Sequence, residues 1–129
     1  MKSIFLIDDD ADDREIFAEC LHSLYPSISY YEAENGMEGF KLLQSGRVVP
    51  DLIFLDLNMP IVNGKTFLTQ IKLDENFKDI PVIIYTTSSN QSDKDFASKH
   101  HAAMFITKQF SMSMIKDDLK KAVIKFLDL

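Results

Sequence analysis

The sequence predicts a doubly wound α/β sandwich, a five-stranded parallel sheet with helices on both faces. Two observations carry the prediction. Residues 4–7, 52–55 and 82–86 are short, near-continuous apolar runs. They are too brief for helices and lack the polar alternation of a strand wetted on one side, as strands covered on both faces should. Between the strand candidates lie segments whose apolar residues recur every three or four positions, so strands and helices alternate along the chain. A length of 129 residues suits one domain with a sizeable core.

The elements follow in order. Residues 4–7 form the first strand, ending in Asp8, Asp9 and Asp10. A helix over 11–25 buries Phe17, Cys20, Leu21 and Leu24, carries Asp12 and Asp13 in its first turn where negative charge is stabilised, and stops at Pro26. Residues 28–33 are a weaker strand with Asn35-Gly36 as its exit. The helix over 37–45 turns Met37, Phe40 and Leu43 inward, and Gly46 closes it. Residues 52–55 form the third strand, with Asp56 where it emerges. Pro60 then forbids ladder pairing, and Gly64 permits a turn most residues cannot make. The helix over 64–75 has Phe67, Leu68 and Ile71 as its apolar positions. Pro81 introduces the strand over 82–86, and residues 87–90 are a polar loop that caps a helix over 91–100. That helix is poor in apolar residues and should be the most loosely held. The strand over 103–107 ends in Lys108. The helix over 112–127 repeats Met112, Ile115, Leu119, Ala122, Val123 and Phe126 with a 3.6-residue period. Right-handed crossovers leave few strand orders, and 2-1-3-4-5 is the flavodoxin-like choice.

Composition narrows the function. Residues are 46% hydrophobic and 26% charged, ordinary for a soluble globular chain. The formal net charge of -6 disfavours a nucleic-acid surface, which needs clustered Lys and Arg. A single cysteine, Cys20, forms no internal disulfide and reads as core, so a reducing cytoplasm is expected. No apolar run reaches membrane-spanning length, and the amino-terminal one is too short for a signal peptide. The His100-His101 pair and Lys120, Lys121 and Lys125 read as solvated surface.

Parallel strands end on one edge, so Asp8, Asp9, Asp56, Thr86 and Lys108 should converge on one crevice. Each has a bland reading: helix cap, turn former, strand threonine, surface lysine. Jointly, those readings must explain four strand ends presenting matched acids, a hydroxyl and a base. Three nearby carboxylates repel, and a hard divalent cation such as Mg²⁺ offsets them with oxygen ligands. A cation so placed can orient a phosphoryl group toward an attacking aspartate. Lys108 and the Thr86 hydroxyl would then meet the phosphoryl oxygens.

Four segments, 5–9, 56–64, 81–86 and 105–108, now carry a resemblance across nearly the whole chain. The sequence resembles the receiver domain of bacterial two-component response regulators, the CheY-like superfamily. That superfamily is itself a standing example of the 2-1-3-4-5 order, so the topology is no independent finding. The resemblance implies that Asp56 accepts a phosphoryl group. It implies that Asp8 and Asp9 hold Mg²⁺, Asp9 directly and Asp8 partly through water, with the Asn58 backbone carbonyl completing the protein's share. Thr86 becomes the switch hydroxyl, Lys108 the lysine that pairs with the phosphoryl group, and Phe105 the aromatic switch. Asn58 and Ser88, two residues past Asp56 and Thr86, occupy positions that tune phosphoryl lifetime.

Two features depart from the pattern. The family places a proline after the lysine, through a cis bond, whereas Gln109 follows Lys108 here. A cis bond without proline costs roughly 2.5–4 kcal/mol, so cis and trans both stay open. Phe105 lacks the tyrosine hydroxyl often found there and can switch by burial alone.

The resemblance therefore implies a single receiver domain over residues 1–129 with no effector domain. A histidine kinase or histidine phosphotransfer protein would supply the phosphoryl group, and a separate protein would read the face made by the fourth helix, fifth strand and fifth helix. The protein would be a monomer or a phosphorylation-dependent dimer, in the cytoplasm, with no nucleic acid or membrane insertion. It would be no enzyme beyond its own phosphoryl transfer and dephosphorylation. A relay intermediate passing phosphate to another histidine and a degenerate, phosphate-independent receiver are the alternatives. A magnesium-dependent phosphohydrolase fits poorly, because Asp12 stands where that chemistry wants threonine and no capping insert exists. A flavodoxin-like electron carrier conflicts with the acidic first loop.

Overall fold

The apolar runs form the middle of a sheet, and the periodic segments cover it. The computed structural model describes residues 2–59 and 62–129. Pro60, for which a ladder-breaking role is expected, lies outside the described residues. The elements are β1 (Ser3–Ile7), α1 (Ala11–Leu24), β2 (Ser29–Ala33), α2 (Gly36–Ser45), β3 (Leu52–Leu55), α3 (Gly64–Leu73), β4 (Val82–Thr86), α4 (Gln91–Lys99), β5 (Met104–Thr107) and α5 (Met112–Leu127). The strands are parallel in the order β2-β1-β3-β4-β5, as expected. Element boundaries differ from the expected ones by one or two residues.

Side chains alternate across a sheet, so each strand feeds two cores. Ile4 and Leu6 of β1, Phe54 of β3 and Tyr85 of β4 face α1 and α5, meeting Phe17, Leu21, Leu119 and Val123. Phe5, Ile7, Ile53, Leu55 and Ile84 face the other way, onto Leu43, Phe67, Leu68 and Ile71. Phe17, Phe54 and Tyr85 form an edge-to-face trio, with ring centroids 4.9 to 5.9 Å apart. Cys20 is fully buried in the first core, as expected.

Three expectations about burial need correction. Met37 is not inward but 39% exposed. The inner line of α2 is Gly36, Gly39 and Leu43, because the helix lies so close to β1 that a Cβ on Gly39 would sit 2.8 Å from Ile7 Cδ1. Phe40 lies beside that line, against Phe67 and Phe77. Met112 is 43% exposed, because it borders a cavity beside Phe110, and burial in α5 begins at Ile115. His100 is half-buried rather than solvated. Its ring stacks on Phe96 at 4.1 Å and its Nδ1 lies 3.0 Å from the Phe96 carbonyl oxygen. His101 is exposed, with φ of 64°.

The helix caps follow the sequence. Asp10, Asn35, Asn63, Asn90 and Ser111 each accept a backbone N–H from the first turn of their helix. Gly46 ends α2 at φ 76°, where a side chain would be strained. Gly64 works differently. It opens α3 without a positive φ, and a Cβ there would lie 2.5 Å from Leu57 Cα and closer still to the Asp56 carbonyl oxygen. What that position needs is the missing side chain, so that α3 can start directly beneath the loop after β3. Among the described residues, no helix is long and apolar enough to cross a membrane.

Candidate functional site

Register brings the polar strand ends together. Ile7 pairs with both Ala33 and Leu55, so Asp8 and Asp56 leave the sheet side by side. The Asp8 N–H donates to the Ala33 carbonyl and the Asp56 N–H to the Ile7 carbonyl, each at 3.0 Å. Thr86 pairs with Thr107, and the Lys108 N–H donates to the Thr86 carbonyl at 2.7 Å. Every peptide bond among the described residues is trans, the Lys108–Gln109 bond included, and Lys108 still reaches the acids.

The Lys108 ammonium is the centre of the cluster. It donates to Asp8 Oδ2 at 2.7 Å, Asp13 Oδ2 at 2.7 Å and Asp56 Oδ2 at 3.2 Å. Its side chain is 8% exposed, and the ammonium lies 5.6 Å from the Tyr85 ring centroid. Burial pulls the Lys108 pKa down, but hydrogen bonds with Asp13 and Asp8 outweigh it and hold the ammonium above the ordinary lysine value. Asp8 is fully buried. Its Oδ1 accepts the Asp10 N–H at 2.9 Å, and its carbonyl accepts Arg14 Nη1 at 2.7 Å. Arg14 in turn bridges to Glu32 on β2. Two neighbours that sequence reasoning missed thus shape the site: Asp13 and Arg14. The first-turn position of Asp13 in α1, which suits the helix dipole, also sets it just after the acidic loop that ends β1, and that placement is the signal in the sequence.

The remaining expected residues surround this core. Asp56 is 6% exposed, and its Oδ1 accepts the Asn58 N–H at 3.1 Å. The Thr86 hydroxyl is buried, and among the described residues its contacts are long, 3.5 Å to Asn58 Nδ2 and 3.4 Å to the Ser88 N–H. The Ser88 hydroxyl points away, donating to Asp93 Oδ2 at 2.7 Å, while Lys65 bridges to Asp93 Oδ1 at 3.0 Å. Those two contacts hold the Asp93 carboxyl below its ordinary range. Phe105 is half-buried against the core on the α3 side of the sheet. An open cavity of about 460 Å³ sits above, lined by Asp9, Asp13, Asp56, Asn58 and Lys108 among others.

Asp8, Asp9 and Asp56 each offer a carboxylate oxygen, all within 4.8 Å of one another. Oxygen donors alone, two buried and one facing water, fit a hard cation that keeps part of its hydration. Burial pushes the Asp8 carboxyl up to about 6, from 3.8, despite the opposing pull of Lys108. One ammonium faces the carboxylates of Asp8, Asp13 and Asp56, so negative charge is in excess at this edge, which suits a cation.

A pH dependence follows. Unfolded Asp8 titrates near 3.8 and folded Asp8 near 6, so between those values the folded chain holds the extra proton. Without divalent cation, stability should fall as pH rises through that window, with the loss complete above about 6 and worth about 3 kcal/mol. Urea denaturation from pH 4 to 7 in chelator, with Asp8→Asn alongside, checks this; the variant should lack the slope.

Comparison with known proteins agrees with this geometry. The family model described as response regulator receiver domain matches residues 4–120. The chain is 32% identical over 120 residues to the sensor histidine kinase CheAY of Helicobacter pylori, covering 93% of this chain and 15% of that one. It is 30% identical over 118 residues to the chemotaxis protein CheY1 of Helicobacter pylori, covering 91% of this chain and 93% of that one. Among solved structures, the phosphorylated cyanobacterial phytochrome response regulator RcpA superposes with a TM-score of 0.90 at 31% identity, covering 98% of this chain and 94% of that one. A matching family model over most of the chain, an acid cluster at the sheet's carboxyl edge and a lysine seated within it lead to one assignment: the chain belongs to the response regulator receiver domain family.

Proposed function

We propose that the chain is a signalling switch in which Asp56 accepts a phosphoryl group from a partner's phosphohistidine. The observation that carries this reading is the seating of the Asp56 carboxylate. One oxygen is fixed by the Asn58 N–H and the other faces the Lys108 ammonium, beneath an open cavity. An Asp56 oxygen attacks phosphorus, the P–N bond breaks, and the departing imidazole retains the electron pair and takes a proton. Asp8, Asp9 and Asp56 would hold Mg²⁺, joined by the Asn58 carbonyl. When bound, the cation supplies positive charge that lets a phosphoryl group approach the acids. Lys108 meets the charge on the new phosphoryl oxygens, and the loosely held Thr86 hydroxyl turns toward them.

Thr86 draws the loop before α4 with it, and Phe105 turns into the space. The phosphoryl group shifts a two-state equilibrium by its differential contacts with the two states. The face of α4, β5 and α5 then presents a changed surface to a separate target protein. The reading places a single receiver domain in the cytoplasm, acting with a histidine kinase or phosphotransfer protein. Asn58 and Ser88 tune how long the acyl phosphate survives.

The test is intact mass after incubation with acetyl phosphate and Mg²⁺. A gain of one phosphoryl group, lost in Asp56→Asn and without metal, is the expected result. No gain in the wild-type protein would reject Asp56 as acceptor.

A further inference from the structure

Lys108 has committed its donors. A lysine ammonium carries three N–H groups and no acceptor, and here Asp8, Asp13 and Asp56 take all of them. Contact with a phosphoryl oxygen on Asp56 therefore requires one carboxylate to let go. Asp8 is fully buried, so water would not replace its lost partner. Asp56 is the group that reacts. Asp13 has an exit: its side chain is 33% exposed, and it stands in the first turn of α1, where the helix dipole favours its charge.

The surrounding space supports the same choice. Asp13 and Lys108 line the open cavity above the acids, and both also line a second cavity of about 150 Å³ bounded by Ile16, Tyr85, Phe110 and Ile115. Their ion pair borders both cavities, so free volume adjoins it into which the pair can separate.

We propose that Asp13 is a positioning residue that holds Lys108 in the resting protein and is exchanged for a phosphoryl oxygen when Asp56 is modified. The inference rests on reading Asp56 as the phospho-acceptor. Asp13 never touches the phosphoryl group. It competes with that group for the ammonium and so weights the balance toward the resting state. A residue that merely preset Lys108 for reaction would have the opposite sign on removal.

The probe is beryllofluoride, a phosphoryl mimic, titrated with Mg²⁺ into wild type, Asp13→Asn, Asp13→Glu, Lys108→Met and the double variant Asp13→Asn/Lys108→Met. Mg²⁺ affinity without beryllofluoride is measured alongside, so that any change can be assigned to the anion. Asp13→Asn should bind beryllofluoride about tenfold more tightly, the scale of one charged hydrogen bond no longer competing. Asp13→Glu should return toward wild type. In the Lys108→Met background the Asp13 substitution should have little effect, because the coupling runs through the ammonium. Unchanged or weaker binding in Asp13→Asn would overturn the exchange, as would equal tightening with and without Lys108. Failure of wild type to bind the mimic would instead remove the phospho-acceptor reading, and the exchange with it.

Discussion

Lys108→Met is expected to destabilise the protein by about 3–5 kcal/mol at pH 7 in the absence of divalent cation, the range for removing one partner of a buried charge cluster. Methionine keeps much of the side-chain stem, so the loss is mainly the charge. What remains is Asp8 at zero exposure, with the Asp10 N–H still donating to Oδ1 and no ammonium on Oδ2. Asp13 and Asp56 lose the same partner. The buried Asp8 carboxyl, already raised to about 6, then finds its charged form still harder to keep, and the folded protein takes up a proton there more readily. The deficit should therefore shrink as pH falls toward about 6 and stay reduced at pH 4, because below its folded value Asp8 is protonated and needs no ammonium. Added Mg²⁺ should recover part of it by supplying the missing positive charge. Urea midpoints at pH 4 and pH 7, with and without Mg²⁺, measure all three effects. An unchanged midpoint at pH 7 in chelator would mean that the lysine does not neutralise this cluster.

The second large effect belongs to Gly64. Gly64→Ala should cost about 3 kcal/mol, at the upper end for forcing extra volume into a packed site. The new methyl would meet backbone rather than a flexible side chain: the Asp56 carbonyl and the Leu57 Cα. Relief must come from moving the loop after β3, which carries Asp56, so divalent-cation affinity should drop about tenfold or more along with stability. Gly46→Ala is the contrasting case. Among the described residues nothing beyond its chain neighbours lies within 4 Å of a Cβ there, and the cost comes from φ alone, about 1 kcal/mol with the site untouched. Calorimetric Mg²⁺ titrations and thermal midpoints of both variants separate crowding from backbone strain. Equal Mg²⁺ affinity in Gly64→Ala and wild type would show that the loop yields without disturbing Asp56.

The contrast between those glycines also marks how far the sequence was legible. Alternation of apolar runs with periodic segments fixes the α/β class and leaves few strand orders, and the resemblance selects 2-1-3-4-5 among them. The strand ends gave Asp8, Asp9, Asp56, Thr86 and Lys108, because parallel strands must finish on one edge. Quantities set by distances between helix and sheet stayed hidden. Met37 seemed inward until the close approach of α2 turned Gly39 to the sheet. His100 seemed solvated because its stacking on Phe96 spans one helical turn on a polar segment. Asp13 seemed a dipole residue because its partner, Lys108, lies 95 positions away. Gly64 seemed a turn glycine because its real constraint is contact with a loop seven and eight residues earlier in the chain.

The reach from Asp8 to Lys108, 100 positions, has a consequence for synthesis. A nascent chain emerges acids first and neutralising base last. Were β1, β2, β3 and β4 to pair before β5 left the ribosome, that sheet would gather Asp8, Asp9 and Asp56 with no Lys108 among them. Such a species would carry repulsion at its carboxyl edge, which arrival of the final strand and Lys108 would relieve. The same separation means that no amino-terminal fragment ending before residue 108 reproduces the site's charge balance, however well its strands pair.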